Sequence, residues 1–401
     1  MSTRILPRLP GWLWLVAAMT VVGPVSIDMY LPGFPLIERE FGSGVEHTMA
    51  AYLFGIALSP LVYGPLSDRF GRKPPLYFSL ALYTAGSLGC VLAGSMGQLL
   101  AMRVAQACGA GAGFVIGRAI VRDRCEPHET ARVFSLLMLI FSLGPILAPG
   151  VGGLIIGWWG WRAAFWFQVL LGLGLLLMMH LTLRETQDPA HVVPLRVRNI
   201  ASGYGRLLVD RAFIGFALVG GFGMSTTFSY VTGASNVMGP TYGLAPRELG
   251  LLLGLNGLAF MLASRLNTLA LRRHGPTEIL HRAAAGPLLC AALLVGATAF
   301  VQPPLAVFVA LQLALFVAVG RVNPNSAALA LARHGRQAGT ASALLGSIQS
   351  LMGTLAGVNV ATFTNGTVNR LALLMAIPAA CAWLSYRWVR GQQSAGEAAS
   401  R

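Results

Sequence analysis

Long apolar runs alternate with short polar stretches along almost the whole chain. A helix needs about 20 apolar residues to cross the hydrocarbon core of a bilayer, and runs of that size are bounded by charged residues, proline or glycine. The predicted spans are residues 11–31, 47–66, 75–95, 99–121, 132–157, 161–183, 212–234, 248–271, 280–301, 304–331, 337–361 and 367–390. The pattern predicts an all-α membrane protein with twelve transmembrane helices in two six-helix bundles.

The longest polar stretch lies between the sixth and seventh spans and divides the chain in two. We predict an N-terminal six-helix bundle (residues 1–183), a cytoplasmic linker (184–211) and a C-terminal six-helix bundle with a short cytoplasmic tail (212–401). The triplet Arg69-Phe70-Gly71 is echoed by Arg273-His274-Gly275 in the second half. Together with the span count, this echo indicates two parallel repeats.

Composition and charge fit a membrane protein and argue against a nucleic-acid partner. Only 11% of the residues are charged, against roughly 25% in soluble domains. The net charge of +15 comes from arginines concentrated in alternate loops, in the linker and at the termini, with Arg39, Arg162, Arg247 and Arg370 on the other side. Because cytoplasmic loops are rich in basic residues, we predict that both termini lie in the cytoplasm and that the first span is uncleaved.

Asp28 is the acid that stands out, because it ends an apolar run, whereas every other acid falls in a polar stretch. A carboxylate inside a bilayer costs a few kcal/mol or more, so such acids usually face a cavity and carry protons or ligands. Asp28 is therefore the first candidate for proton coupling and for substrate binding.

The loop after the second span combines tight-turn glycines with alternating charges. It contains Gly64, Asp68, Arg69, Gly71 and Arg72. The glycines allow a close approach and a tight turn, Asp68 can meet a basic partner or a helix N-terminus, and the arginines anchor the inner face. An alternative interpretation is an ordinary basic turn at the inner face, which would explain the positive charges of this loop. The full pattern resembles the signature loop of the major facilitator superfamily, which implies a transporter and makes this loop a cytoplasmic gate.

The fourth span contains two arginines, which need a carboxylate, carbonyl groups or water inside a membrane. Arg103 resembles the buried fourth-helix arginine of superfamily antiporters, and the resemblance implies a role in proton coupling. The alternative is that Arg103 extends to the outer face. Arg118 lies nearer the inner face, and the sequence leaves open which arginine, if either, pairs with Asp28.

Two further motifs narrow the resemblance to drug exporters. The fifth span carries Gly144, Pro145, Pro149, Gly152 and Gly153, which predict a kinked, closely packed helix and resemble the motif of drug:proton antiporters. Residues 26–32 resemble a segment of the bicyclomycin and chloramphenicol resistance (Bcr/CflA) exporters. Some related exporters have a second acid before the position of Asp28, where this chain has Thr20, Val21 and Val22.

Further candidates for the substrate cavity are aromatic or amide residues within the spans. They are Tyr30, Tyr52, Phe141, Tyr230, Asn256 and Gln349. Each could equally be ordinary helix packing, although an amide facing lipid would be unsatisfied.

The resemblance implies proton-coupled efflux of small amphipathic drugs or metabolites by alternating access. We expect no cofactor and no metal, and as partners a small-molecule substrate, protons and the lipid bilayer, with the protein as a monomer. A dedicated transporter of one physiological solute, such as an amino acid or a siderophore, is the alternative. A membrane enzyme is disfavoured, because Asp123, Glu126 and Glu129 form no metal-binding array.

Overall fold

The computed structural model describes residues 10–187, 197–332, 334 and 338–399. Every regular element in these ranges is a helix. The first half contains α1 (Gly11–Asp28), a 3₁₀ turn (Leu31–Gly33), α2 (Phe34–Phe41), α3 (His47–Phe70), α4 (Lys73–Val91), α5 (Met96–Arg124), α6 (Pro127–Trp159) and α7 (Arg162–Thr182). The second half contains α8 (Val197–Val209), α9 (Arg211–Tyr242), α10 (Pro246–Leu271), α11 (Pro276–Ala283), α12 (Gly286–Thr298), α13 (Leu305–Leu331), α14 (Ala338–Phe363) and α15 (Val368–Ala399).

Eleven helical segments of the described chain are long and apolar enough to cross a membrane. The remaining predicted span is α4, a helix of 19 residues whose mean hydropathy is lowered by Lys73, two prolines and two tyrosines. It packs between α5 and α7 in the same bundle. The prediction of an all-α protein with twelve spans is confirmed.

The first span is interrupted, whereas the sequence predicted one helix to residue 31. Helix α1 ends at Asp28, and the chain continues through a 3₁₀ turn into α2. Proline disfavours helical backbone at the residue before it and is tolerated in a helix's first turn. Pro32 and Pro35 therefore end one helix and begin the next, and Asp28 lies at the break.

Two other predicted segments also have internal structure. The ninth span consists of α11 and α12, which meet at Ala284 and Ala285 just before Pro287. In the predicted linker, residues 188–196 lie outside the described residues, and α8 follows them. Helix α8 packs on α9 and α14 of the second half.

Within each half, the helices form a closely packed bundle. In the first half, α5 packs on α3 and α4, α4 packs on α7, and α1 packs on α6, α5 and α7. In the second half, α9 packs on α15, α14 and α13, and α12 packs on α13 and α15. Each bundle has two ends. We call "distal" the end with the loops 42–46, 92–95, 160–161, 243–245, 299–304 and 364–367, and "proximal" the end where α1 begins.

The two halves meet along two main seams, one between α3 and α14 and one between α6 and α10, and α2 and the 3₁₀ turn also contact the second half. In the second seam, a Cβ on Gly153 would lie 2.6 Å from the carbonyl oxygen of Pro246, and a Cβ on Gly257 would lie 2.7 Å from the backbone nitrogen of Ile146. These backbones touch because glycine has no side chain to separate them. The contacts run from the distal end to about the middle of the helices.

Hydrogen bonds between the halves follow the same distribution. In the described ranges there are two: Asn236 Nδ2 donates to Glu46 Oε1 at 2.8 Å near the distal end, and Ser347 Oγ donates to the Ala57 carbonyl at 2.6 Å near the middle. In the described part of the chain, the halves are therefore closed at the distal end, and no hydrogen bond joins them in the proximal part.

Candidate transport site

Arg103 is fully buried near the distal end of α5. Its Nη1 donates to Gln106 Oε1 at 2.5 Å and its Nη2 donates to the Ser26 carbonyl at 3.1 Å. The guanidinium lies 4.2 Å from the ring centroid of Tyr30 and 4.3 Å from that of Tyr52. Removing a cation from water costs several kcal/mol, and the two hydrogen bonds and the two ring faces offset part of this cost. Arg103 therefore does not extend to the outer face.

A hydrogen-bond network continues from Gln106 into the first half. Gln106 Nε2 donates to Ser87 Oγ at 2.7 Å and to Gln168 Oε1 at 2.6 Å, and Ser26 Oγ shares a hydrogen bond of 3.0 Å with Tyr83. Of these residues, sequence reasoning did not select Ser87, Gln168 or Tyr83. The available signal was a set of polar residues inside apolar runs, but the partner of each depends on how the helices pack.

Asp28 ends α1 beside this network but is not part of it. Asp28 as a whole residue is partly accessible, while Ser26 and Met29 are buried. Among the described residues, Asp28 makes no hydrogen bond and no ion pair within 4.0 Å, so neither Arg103 nor Arg118 pairs with it in this conformation. Arg103 instead binds the carbonyl of Ser26, two residues earlier. A role of Arg103 in proton coupling stays a prediction.

The predicted cavity tyrosines are all buried, and two have unsatisfied hydroxyl groups. The Tyr30 hydroxyl shares a hydrogen bond of 2.9 Å with Thr48 Oγ1. Tyr52 and Tyr230 are fully buried, and their hydroxyl groups have no hydrogen-bond partner in the described chain. The Tyr230 ring packs on Phe316 at 5.6 Å in the second half.

The remaining cavity candidates differ in their surroundings. Asn256 is buried and its Oδ1 accepts from Gln312 Nε2 at 3.0 Å. Gln349 is partly accessible and lies against Gly220, where a Cβ would be 2.8 Å from its Nε2. Phe141 is 36% exposed and packs on Phe114 with a centroid distance of 5.9 Å.

In the signature loop, Arg72 is the central residue. It is largely buried and bridges two carboxylates, with Nη1 at 2.6 Å from Asp68 Oδ1 and Nε at 2.9 Å from Asp123 Oδ2. It therefore does not act as a free surface charge, in contrast to the exposed Arg69. These contacts stay inside the first half, which fits a structure that is open at the proximal end.

Glu185 ties the start of the linker to this loop. Its carboxylate accepts hydrogen bonds from the backbone N–H of Arg72 at 2.9 Å and of Lys73 at 3.0 Å. Partial burial opposes ionisation, but these bonds and those from the backbone of Thr186 and Gln187 hold the pKa of Glu185 below its usual range. No pattern along the chain indicated this role for Glu185.

The two glycines of the signature motif have different roles. Gly64 lies inside α3, which continues to Phe70, so the loop begins later than predicted. Gly71 has φ +88°, and a Cβ there would lie 2.7 Å from Glu185 Oε2, so the predicted tight turn requires glycine. No atom lies within 4 Å of a Cβ built on Gly64. The close approach predicted at Gly64 is wrong for this conformation.

In the fifth-span motif, the glycines are packing surfaces. A Cβ on Gly144 would overlap Pro24 of α1, and one on Gly152 would overlap the carbonyl oxygen of Met29. Gly153 faces α10 instead. The motif, which includes Pro145 and Pro149 inside α6, therefore holds α6 against the helix break beside Asp28 and against the opposite half.

Glu46 is a buried acid that sequence reasoning missed, because it lies in a polar stretch. It is only 5% exposed at the start of α3 and accepts the cross-half hydrogen bond from Asn236. A polar stretch of sequence therefore does not show whether an acid stays exposed in the fold. Burial of Glu46 follows from the closure of the distal end, which is not visible in the chain alone.

Twelve spans around this polar centre define a membrane transporter. The chain matches the family profile of the Major Facilitator Superfamily over residues 16–357, and it belongs to this superfamily. It is 34% identical to the uncharacterized MFS-type transporter YdgK of Bacillus subtilis (strain 168), with 87% of this chain and 89% of that protein covered. Superfamily membership also makes it a transporter and not an enzyme.

Two other comparisons agree with this assignment. A bicyclomycin resistance protein homolog of Haemophilus influenzae is 29% identical, with coverage of 92% of this chain and 93% of that protein. The crystal structure of the peptide transporter POT in complex with sulfate superposes with a TM-score of 0.77 at 14% identity, covering 98% of this chain and 96% of that chain. At this identity the second similarity supports the fold alone.

Proposed function

We propose that this transporter exports small amphipathic drugs or metabolites in exchange for protons, as a monomer in the bacterial inner membrane. The protein alternates between the distal-closed conformation described above and one that is closed at the proximal end. The arginine-rich loops lie at the proximal end, so this end faces the cytoplasm by the positive-inside rule. The distal-closed structure would then receive substrate from the cytoplasm.

The observation that carries the proposal is the state of Asp28. It is an acid at a helix break within a span, partly accessible, and without a charged or hydrogen-bonding partner in the described chain. An intramembrane carboxylate without a partner is costly as an anion, so binding a proton or a ligand there relieves the cost. Substrate and proton would compete for this site.

Similarity to a bicyclomycin resistance protein homolog supports a drug as substrate. Tyr52 is buried beside Arg103, and its hydroxyl has no partner, so it offers a hydrogen bond to a ligand near Asp28. Arg103 would hold the surrounding helices in their positions while the proton moves.

The test is accumulation of a drug panel in efflux-deficient bacteria, with chloramphenicol and ethidium as members. Wild type, Asp28→Asn, Asp28→Glu and empty vector are compared with and without a proton uncoupler, and membrane insertion is measured for each. Glu278→Gln is the matched control, because Glu278 is a surface acid on α11 that pairs with Arg282 and with His274.

We expect wild type and Glu278→Gln to lower accumulation, and both the uncoupler and Asp28→Asn to abolish this. Asp28→Glu should keep part of the activity, since it retains a carboxylate. If inserted wild type matches empty vector across the panel, broad drug export is wrong, and a single physiological solute becomes the leading substrate. If Asp28→Asn remains fully active and uncoupler-sensitive, the proton is carried elsewhere.

A further inference from the structure

Arg118 has no counter-charge in the described part of the chain. It is partly buried on α5, donates no hydrogen bond to a described residue, and lies within 4.0 Å of no described carboxylate. Its guanidinium rests on the ring of Phe114, 4.0 Å from the centroid. Arginine inside a span is expected to have an anionic, carbonyl or water partner, so the donors of Arg118 are available to a ligand.

Arg122 adds a second positive charge on the same face of the helix. It lies one turn from Arg118 toward the proximal end, is exposed, and likewise has no hydrogen bond or ion pair to a described residue. Like charges four residues apart destabilise a helix by a few tenths of a kcal/mol. An anion bound between the two guanidinium groups would remove this repulsion and satisfy donors on both.

Apolar side chains of two helices lie beside Arg118. The ring of Phe114 meets the ring of Phe141 on α6, and α5 and α6 both pack on α1. Phe141 is 36% exposed, and α6 also forms one of the seams with the second half. We infer that the two phenylalanines border the space between the halves.

Arg118 and Arg122 lie in the proximal part of this space, as their positions along α5 show. Arg118 is six residues before the proximal end of α5 at Arg124, which is about 9 Å at 1.5 Å per residue. Among the described residues, the cross-half contacts given above reach from the distal end to the middle of the helices, at Ala57–Ser347 and Ile146–Gly257. A ligand entering from the proximal end would reach Arg122 first, then Arg118, and only afterwards Asp28.

We propose that Arg118 and Arg122 bind the carboxylate or phosphate group of an amphipathic organic anion, whose apolar body lies against Phe114 and Phe141. Guanidinium groups bind such oxyanions by paired, charge-assisted hydrogen bonds. The two arginines would capture the anionic end of a ligand at the proximal mouth. A role of this site in transport rests on the proposed export function. The same chemistry is offered by a transported organic anion and by a phospholipid headgroup.

The test measures binding to the full-length protein in nanodiscs of neutral phosphatidylcholine. The probes are 1-naphthoate and its uncharged match 1-naphthamide, and the proteins are wild type, Arg118→Gln, Arg118→Gln/Arg122→Gln and Arg124→Gln. Arg124 is the matched control, because it lies at the end of the same helix, with its guanidinium 5.7 Å from the ring centroid of Trp12. Circular dichroism and thermal unfolding show whether each variant folds.

Loss of a charge-assisted hydrogen-bond pair corresponds to about a ten- to hundredfold weaker affinity. We expect this loss for 1-naphthoate in Arg118→Gln and a larger one in the double variant, with Arg124→Gln unchanged. Wild type should bind 1-naphthamide at least tenfold more weakly than 1-naphthoate. Equal binding of acid and amide, or undiminished naphthoate binding in the folded double variant, overturns the proposal. Arg118→Lys, which keeps the charge but not the planar fork, should bind naphthoate with intermediate affinity.

A second arm distinguishes the two sources of the anionic group. Nanodiscs containing phosphatidylglycerol are compared with neutral ones. If phosphatidylglycerol competes with naphthoate in wild type and not in the double variant, the anion that binds this site is a lipid headgroup. If phosphatidylglycerol does not compete, the anion that binds this site is a transported solute. Chloramphenicol efflux in cells separates this inference from the proposed function, because a neutral drug should still be exported by Arg118→Gln but not by Asp28→Asn.

Discussion

Gly153 offers the sharpest test of the distal closure. A Cβ at this position would lie 2.6 Å from the Pro246 carbonyl oxygen and 3.2 Å from the Arg247 Cα. Non-bonded heavy atoms settle at about 3.5–4.0 Å. In Gly153→Ala, α6 and α10 must therefore separate, and the proposed distal-open conformation would lack this contact. Overpacking of this kind costs about 1–3 kcal/mol, so the ratio of distal-open to distal-closed molecules should rise about five- to hundredfold.

The matched control is Gly157→Ala, one turn further along the same helix. No atom lies within 4 Å of a Cβ built on Gly157, so the same change of glycine to alanine should leave the conformational ratio unchanged. Both substitutions improve helix propensity equally, which separates the effect of the contact from the effect on the helix.

The assay is a distance distribution between spin labels at Ser43 and Gln302, which lie in distal loops of opposite halves and are exposed. Labels are introduced through cysteines in a background in which the five native cysteines are replaced. We expect a longer-distance population to grow in Gly153→Ala and not in Gly157→Ala. If the two variants give the same distribution as wild type while both remain folded, the contact between α6 and α10 does not control opening.

Two further changes test contacts that the sequence did not reveal. Asn236→Ala removes the hydrogen bond to buried Glu46, worth about 1 kcal/mol or more, so the same spin-label measurement should show about fivefold more of the distal-open state; Asn365→Ala in an exposed distal loop is the control. Glu185→Ala removes the acceptor of four backbone N–H groups, so the purified protein should unfold at a lower temperature at pH 7, whereas the exposed-acid control Glu278→Ala should not.

The pH dependence of the Glu185 effect has a defined sign. The folded-state pKa lies below its usual value, so the carboxylate contributes stability above its unfolded pKa of about 4.3. This contribution is lost as the pH falls through the lowered folded value. The difference in unfolding temperature between wild type and Glu185→Ala should therefore be constant near pH 7 and shrink below about pH 5. A difference that grows on acidification would refute the assignment.

The sequence by itself determined the membrane class, the number of spans and the superfamily. These follow from quantities that are local along the chain: the length of an apolar run, the residues that bound it, and the spacing of glycine and charge in the loop around Arg72. The same local reasoning selected Asp28, because an acid beside an apolar run is visible without knowing any neighbour. It failed at Gly64, where the predicted close approach is absent in the distal-closed conformation.

Only the tertiary structure decided which groups meet. Arg103 binds the Ser26 carbonyl and two tyrosine rings instead of Asp28, and Glu46 becomes buried through a residue of the other half. Such contacts depend on the rotation and depth of each helix, which are set by packing among many side chains at once. The end at which the halves close is likewise a property of their arrangement, and no local pattern along the chain reveals it.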